Sequence, residues 1–248
     1  MKPRVEVRGD IGYRGSFVIR GVNVSFECGR LNCILGPNGS GKTTLLLTIG
    51  GALKPVSGYV RVEPRHARRV YIPPSPPYLP GLRVGDVALS VSGALTGASV
   101  YSVDAEIASR CDEILGKLGF KYPATRYFNE LSTGERQKVM LAGALASRAE
   151  VLLLDEPNSH LDVKSRLTLY RLLEEEACRR LVIIALHDVS EASIHCNNIL
   201  LLGFNGVVST GSPEEVLCRE NLERAYGVSF AEAVIRGKRV FLPYTSGV

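Results

Sequence analysis

Gly-Pro-Asn-Gly-Ser-Gly-Lys-Thr, residues 36–43, satisfies the pattern G-x-x-x-x-G-K-[ST] at every fixed position. Just upstream, Leu31 to Leu35 is an apolar run of buried-strand length. Just downstream, Lys42 onward (KTTLLLTIGGAL) carries Leu45, Leu46 and Ile49 at helical spacing. Strand, glycine loop and helix are the context in which this pattern binds phosphate. Glycines let backbone N–H groups turn inward on a phosphate chain, and a helix N-terminus attracts the same charge. In that context Lys42 is placed to reach β- and γ-phosphates, and the Thr43 hydroxyl to bind Mg²⁺. The loop alone implies a nucleoside triphosphate and no particular task.

Residues 131–135, Leu-Ser-Thr-Gly-Glu, narrow the reading. Locally they form a capping box, in which Ser132 accepts from the N–H of Glu135 and Glu135 reaches back. Alone, that pattern means only that a helix begins. Sixteen residues after Glu135, however, the run Val151-Leu152-Leu153-Leu154 ends in Asp155-Glu156. An apolar strand needs no pair of carboxylates at its exit for stability. A metal-bound triphosphate does: one to hold the Mg²⁺ shell, one to polarise the attacking water.

With these motifs in order, the chain resembles the nucleotide-binding subunits of ABC transporters from about Val5 to about Tyr244. Gly36–Thr43 matches Walker A, Leu131–Glu135 the signature loop and Val151–Glu156 Walker B. Ser159-His160-Leu161-Asp162 resembles the D-loop, and His187 the switch histidine. Tyr13 stands where the family's adenine-stacking aromatic lies. Within the family, EPNSHLD, LHDVSEAS and SPEEVLCRENLERAYGV are most similar to importer ATPases for iron chelates, haem and cobalamin.

The resemblance implies an α/β P-loop NTPase fold. It would be a single cassette over 1–248 with a mixed RecA-like core, an antiparallel β-subdomain and a helical subdomain inserted at about 84–130. ATP would be bound by Tyr13, Gly36, Pro37, Asn38, Gly39, Ser40, Gly41, Lys42, Thr43 and Thr44, and Mg²⁺ by Thr43 and Asp155. Glu156, His187 and Lys42 would be catalytic. Leu131, Ser132, Thr133, Gly134 and Glu135 would act on the nucleotide of a second copy, with Ser159, Leu161 and Asp162 as the D-loop. The implied partners are a second ATPase subunit, polytopic membrane permease subunits and, indirectly, a substrate-binding protein, with no nucleic acid. The implied location is the cytoplasmic face of the membrane, as a peripheral subunit.

Two positions depart from the family pattern. The stretch 70–82, VYIPPSPPYLPGL, has five prolines and no charge. It aligns Pro74 with a glutamine that bridges Mg²⁺, water and the membrane subunit. Proline has no amide, so either Ser75 or a water substitutes, or the local alignment is shifted, or coupling is altered. Thr133 replaces the usual first glycine of the signature.

At 248 residues with net charge +5, the chain can bury a full core. The charge would suit ATP or a lipid surface, but a solvated surface excess is the favoured reading. No charged-then-apolar leader opens the sequence, and none is expected. No apolar run approaches the roughly 20 residues of a membrane helix. Six cysteines, at 28, 33, 111, 178, 196 and 218, lack metal spacing and read as mostly buried, reduced thiols.

Residues 4–8 and 17–27 read as antiparallel strands, with short strands at 59–62 and 69–72. Asp104–Gly116 is a helix. After Ser132 the order is helix, strand 151–154, helix 163–178, strand 181–186, helix 189–195 and strand 198–202, which means a parallel sheet. A hairpin joins 233–235 to 239–241. Residues 87–103 carry no charge and many small hydroxyl residues, and read either as a weakly packed helix and loop or as part of a docking surface for a membrane subunit. His187, 31 residues after Glu156 at the exit of the next apolar strand, should sit beside the carboxylates. A lone histidine there can also be merely structural.

A soluble single-cassette ATPase, such as a cluster-assembly factor, is the alternative. Translation-type members usually carry two cassettes where this sequence has one, and DNA-maintenance members split the cassette with long coiled coils, whereas here 112 residues separate Thr43 from Asp155 with no heptad array. An inactive nucleotide-binding module is disfavoured by the presence of Glu156 and His187.

Overall fold

The computed structural model describes residues 2–13, 17–93 and 104–244. The first third holds β1 (Arg4–Tyr13), β2 (Phe17–Glu27), β3 (Leu31–Leu35), α1 (Lys42–Gly50), β4 (Tyr59–Glu63) and β5 (Arg69–Ile72). A helical stretch follows, with α2 (Val84–Gly93), α3 (Ala105–Lys117), a 3-10 turn at Phe128–Glu130 and α4 (Thr133–Ala146). Strand and helix then alternate through β6 (Val151–Asp155), α5 (Val163–Ala177), β7 (Leu181–Leu186), α6 (Val189–His195) and β8 (Asn198–Gly203). The chain closes with β9 (Gly206–Gly211), α7 (Pro213–Val216), α8 (Arg219–Tyr226) and a hairpin, β10 (Ser229–Ile235) with β11 (Lys238–Tyr244).

The main sheet runs β5-β6-β7-β3-β8-β9, and β2-β1-β4 forms a separate antiparallel sheet. Every residue of β3, β6 and β7 is buried, as expected for parallel strands covered on both faces. Alternation splits them between two cores. Val151, Leu153, Ile183 and Ala185 face Leu45, Leu46 and Ile49 of α1 and Val5, Val7 and Phe26 of the antiparallel sheet. Leu152, Leu154, Val182 and Ile184 face the other way, onto residues of α2 to α5. Because β6, β7 and β3 are adjacent and parallel, their C-terminal ends lie side by side. The loops that follow them converge there, the usual crevice of an open α/β sheet.

Some elements were not readable in advance. β9 was missed because GVVSTG has no alternation, and its antiparallel pairing to β8 comes from the turn at 204–205. α7 and α8 are short helices whose stability comes from packing rather than length. Strand β1 runs five residues further than its alternation indicates, through an irregularity between Gly9 and Ile11. Three of the six free cysteines are buried, two are half-buried and Cys178 is exposed, so burial is less general than expected.

The weakly packed reading of 87–103 fails for its described part. α2 buries Val84, Val87, Ala88 and Ser92 and lies hard against α4. A Cβ on Gly143 would stand 2.5 Å from the Ala88 carbonyl oxygen and 2.9 Å from the Val91 side chain. The glycine is what permits this approach. Residues 94–103, which carried the rest of the docking-surface reading, lie outside the described residues.

In an open helix Gly143→Ala would gain about 1 kcal/mol. Here it is expected to lose ~1–3 kcal/mol of unfolding free energy through overpacking. Urea denaturation measures the sign directly, and a higher midpoint in the variant would contradict the close α2–α4 contact.

Candidate functional site

Loop 36–41 follows β3 and delivers the chain into α1. Side chains cap α3 (Asp104), α4 (Ser132), α5 (Asp162) and α6 (Asp188). α1 begins at Gly41, φ 98°, with no side-chain cap and no acidic residue in its first turn. Its leading N–H groups are therefore left for an anion. They open on a cavity of about 420 Å³ lined by Tyr13, Asn38, Gly39, Gly41, Lys42, Thr43, Thr44 and Glu156. Ser40 Oγ, fully buried in the loop, has no hydrogen-bond partner among the described residues. Both features fit a polyphosphate.

Lys42 is only 6% exposed. Its Nζ donates to the carbonyls of Gly36 (2.9 Å) and Pro37 (3.1 Å) and stands 3.9 Å from Glu156 Oε1. Burial lowers its pKa, and the charges of Glu156 and Asp155 oppose that shift. Asp155, the last residue of β6, is 1% exposed. Its Oδ2 accepts from Thr43 Oγ1 at 2.6 Å and from Tyr71 OH at 3.2 Å. Burial pushes its carboxyl up, while those two hydrogen bonds pull it down.

Glu156 leaves β6 with φ 45°, a conformation sparsely populated by non-glycine residues. His187 leaves β7 and brings Nδ1 to 3.3 Å from Glu156 Oε1. The contact lowers the Glu156 pKa and raises that of His187. Glu156 and the buried Lys42 thus line one cavity, with His187 reaching it through Glu156, a set suited to positioning water against a phosphoryl group.

Among the described residues, no cluster of three or more His, Cys, Asp or Glu could hold a metal unaided. The hard oxygen pair Thr43–Asp155 fits Mg²⁺, which keeps waters and substrate phosphates in its shell.

Leu131 to Glu135 do not line this cavity. Both arms of the expected capping box are present, with Glu135 N to Ser132 Oγ at 3.4 Å and Ser132 N to Glu135 Oε2 at 2.8 Å. Thr133 takes the first helical position of α4. Gly134 packs on the loop after β6, where an added Cβ would stand 2.3 Å from the His160 carbonyl oxygen. Asp162 caps α5 through Ser165 N and holds Lys138 at 3.1 Å, and Leu161 is buried. Ser159 Oγ donates to the carbonyls of Glu156 (2.7 Å) and Pro74 (3.1 Å). Pro74 therefore meets the loop of Glu156 through its backbone, and the chain bends at Pro74–Ser75. Ser75 is exposed.

Sequence reading missed a carboxylate hub. Glu191 of α6 accepts from Asn158, from Arg166 (3.1 Å) and from Tyr170 (2.9 Å). It ties the loop of Glu156 to the helix that follows His187. Nothing in the local sequence marks it, because its partners lie 21 to 33 residues away. Tyr71 was also missed. Its only sequence signal is its place in β5, whose alternation puts it on the α1 side of the sheet.

A family model described as ABC transporter matches residues 19–159. The chain is 34% identical over 232 residues to the hemin import ATP-binding protein HmuV of Bordetella avium, covering 85% of this chain and 87% of that protein. It is 31% identical over 242 residues to the cobalamin import ATP-binding protein BtuD of Halobacterium salinarum, covering 90% of this chain and 58% of that protein. An inward-facing ABC transporter of metal-chelate type shares the fold, with TM-score 0.82 and 24% identity over 99% of this chain and 98% of that chain. The chain belongs to the ABC transporter family, as an ATP-hydrolysing subunit.

The His187–Glu156 pair sets a pH window. His187, raised above 6.5, adds stability that is complete below its unfolded pKa and lost as pH rises through the folded one. Glu156, lowered from 4.5, adds stability above its unfolded pKa that is lost as pH falls through the folded one. The melting-temperature gap between wild type and His187→Gln should be largest between these limits and close on the alkaline side. A gap that is constant from pH 5 to pH 9 would show that the two groups are not paired.

Proposed function

We propose that this chain powers an importer for iron-chelate, haem or cobalamin-type substrates. It would act as a homodimer on polytopic permease subunits at the cytoplasmic membrane face, served by a substrate-binding protein. The observation that carries the catalytic part is the convergence of Lys42, Asp155, Glu156 and His187 on the uncapped start of α1. The cargo class is supported by the hemin and cobalamin relatives. No helix among the described residues is long and apolar enough to cross a membrane, so the passage itself is left to other subunits.

The N–H groups of loop 36–41 and α1 bind the phosphate chain, and Tyr13 at the cavity rim, 47% exposed, stacks on the base. Lys42 leaves its carbonyl partners for β- and γ-phosphate oxygens. Held by Thr43 and Asp155, Mg²⁺ would neutralise charge on those same oxygens. Glu156 orients the attacking water and takes its proton, while His187 donates toward the γ-phosphate. Since Leu131–Glu135 lie away from their own cavity at the N-terminus of α4, they serve the nucleotide of a second copy. ATP then joins two chains, and hydrolysis releases them.

Glu156→Gln should keep ATP binding and lose turnover by roughly 10²–10⁴-fold. It should also accumulate an ATP-bound dimer on size exclusion. Near-wild-type turnover would remove Glu156 from this role.

Ser132→Arg and Lys42→Ala should each abolish hydrolysis alone, and their mixture should recover about one working site per heterodimer, as each damages a different half-site. A dead mixture with demonstrated heterodimers would refute the shared site. Co-purification of polytopic subunits, followed by vesicle uptake of haem, cobalamin and ferric chelates, decides the cargo. Soluble partners alone would favour the cluster-assembly alternative.

A further inference from the structure

The geometry points to Tyr71 as a positioning residue of the Mg²⁺ site, whose hydroxyl holds the Asp155 carboxylate in the orientation the metal shell requires. The proposal rests on the Mg²⁺–ATP reading above and adds to it a residue from outside the motifs.

β5 pairs in parallel with β6, with Tyr71 opposite Leu153. Side chains two apart share a face, so Asp155 lies on the same side as Leu153, one step of ~7 Å further along. The Tyr71 ring packs beside Leu153 and Ala185 on the α1 side of the sheet. A ring directed along the strands covers that step and brings its hydroxyl to 3.2 Å from Asp155 Oδ2.

The same oxygen accepts from Thr43 Oγ1 at 2.6 Å. The two donors come from opposite sides, one from β5 and one from α1. A single donor leaves a carboxylate free to swing about its last torsion, and two donors on one oxygen fix its plane. No side-chain donor reaches Oδ1 among the described residues, so that oxygen is left to face a metal-bound water or the metal itself. At 1% exposure, Asp155 has little access to bulk water that could replace a lost donor.

The hydroxyl is separable from the ring. Packing of the ring on Leu153 needs no oxygen, so Tyr71→Phe removes one hydrogen bond and leaves the apolar contacts in place. Pro73 and Pro74, which follow on the same segment, carry no side-chain donor. Tyr71 is thus the residue through which β5 touches the carboxylate.

The test uses the full chain and two ligands in sequence. Binding of a fluorescent ATP analogue is first measured in EDTA. Mn²⁺ is then titrated into the complex of protein with a non-hydrolysable ATP analogue, with free Mn²⁺ followed by electron paramagnetic resonance. Tyr71→Phe should bind nucleotide in EDTA within about twofold of wild type, and its Mn²⁺ affinity should fall by roughly 3–10-fold, the scale of one ordinary net hydrogen bond. The ATPase rate should shift to higher Mg²⁺ in parallel, with the rate at saturating Mg²⁺ less affected. Equal Mn²⁺ affinity in the two proteins would overturn the proposal. So would an equal loss of metal-free nucleotide binding, since that would mean the hydroxyl supports the whole loop. A melting temperature matching wild type guards against misreading a folding defect. If the wild type itself bound no nucleotide, the Mg²⁺–ATP reading would fail, and this proposal with it.

Discussion

A lysine buried beside two carboxylates at the foot of a phosphate loop is the constraint on which the site depends. Burying an ammonium group without partners is costly, and so is burying a carboxylate. Here Lys42 meets the carbonyls of Gly36 and Pro37 and approaches Glu156, while Asp155 is held by Thr43 and Tyr71. Each group is satisfied, but by partners that a nucleotide would displace or join. The carbonyls around Lys42 can be exchanged for phosphate oxygens of higher charge. The carboxylate that accepts from Thr43 has another oxygen to offer. The arrangement is stable without ligand and better neutralised with one, which is how a binding site couples affinity to local order.

The second feature is mechanical. Glu156 sits at φ 45° and His160 at φ 65° in the same short loop. Such backbone conformations persist only where neighbours over-determine them. Ser159 does part of this by bonding the carbonyls of Glu156 and Pro74. Asn158 does the rest through Glu191, itself held by Arg166 and Tyr170. The loop that carries Glu156 is therefore linked to the proline segment after β5, to α5 and to the helix after His187. Displacement of any one of these elements would be felt at Glu156, the carboxylate proposed to activate water. The contact of Gly134 with the His160 carbonyl extends the chain of contacts to the start of α4, the surface assigned to a second copy's nucleotide. These contacts run without a break from the loop of Glu156 to the start of α4.

Much of this was legible in the chain itself. The spacing of residues 36–43, the strand before them and the helix after them fixed the phosphate site, because that chemistry depends on backbone N–H groups within one short segment. The capping box at Ser132 and Glu135 was equally local. The alternation of strands and helices from 151 to 203 required a parallel sheet, and with it the convergence of Asp155, Glu156 and His187. The tertiary structure alone decided what depends on partners distant in sequence. Tyr71 reaches Asp155 across 84 positions and Ser159 reaches Pro74 across 85. Glu191 gathers donors from three separate turns, and Gly143 earns its place only against a carbonyl of another helix. β9 exists because β8 offers it an edge. Local patterns encode local hydrogen bonding and burial, whereas a side chain's partner across a sheet or between helices is set by register and packing, which no single segment carries.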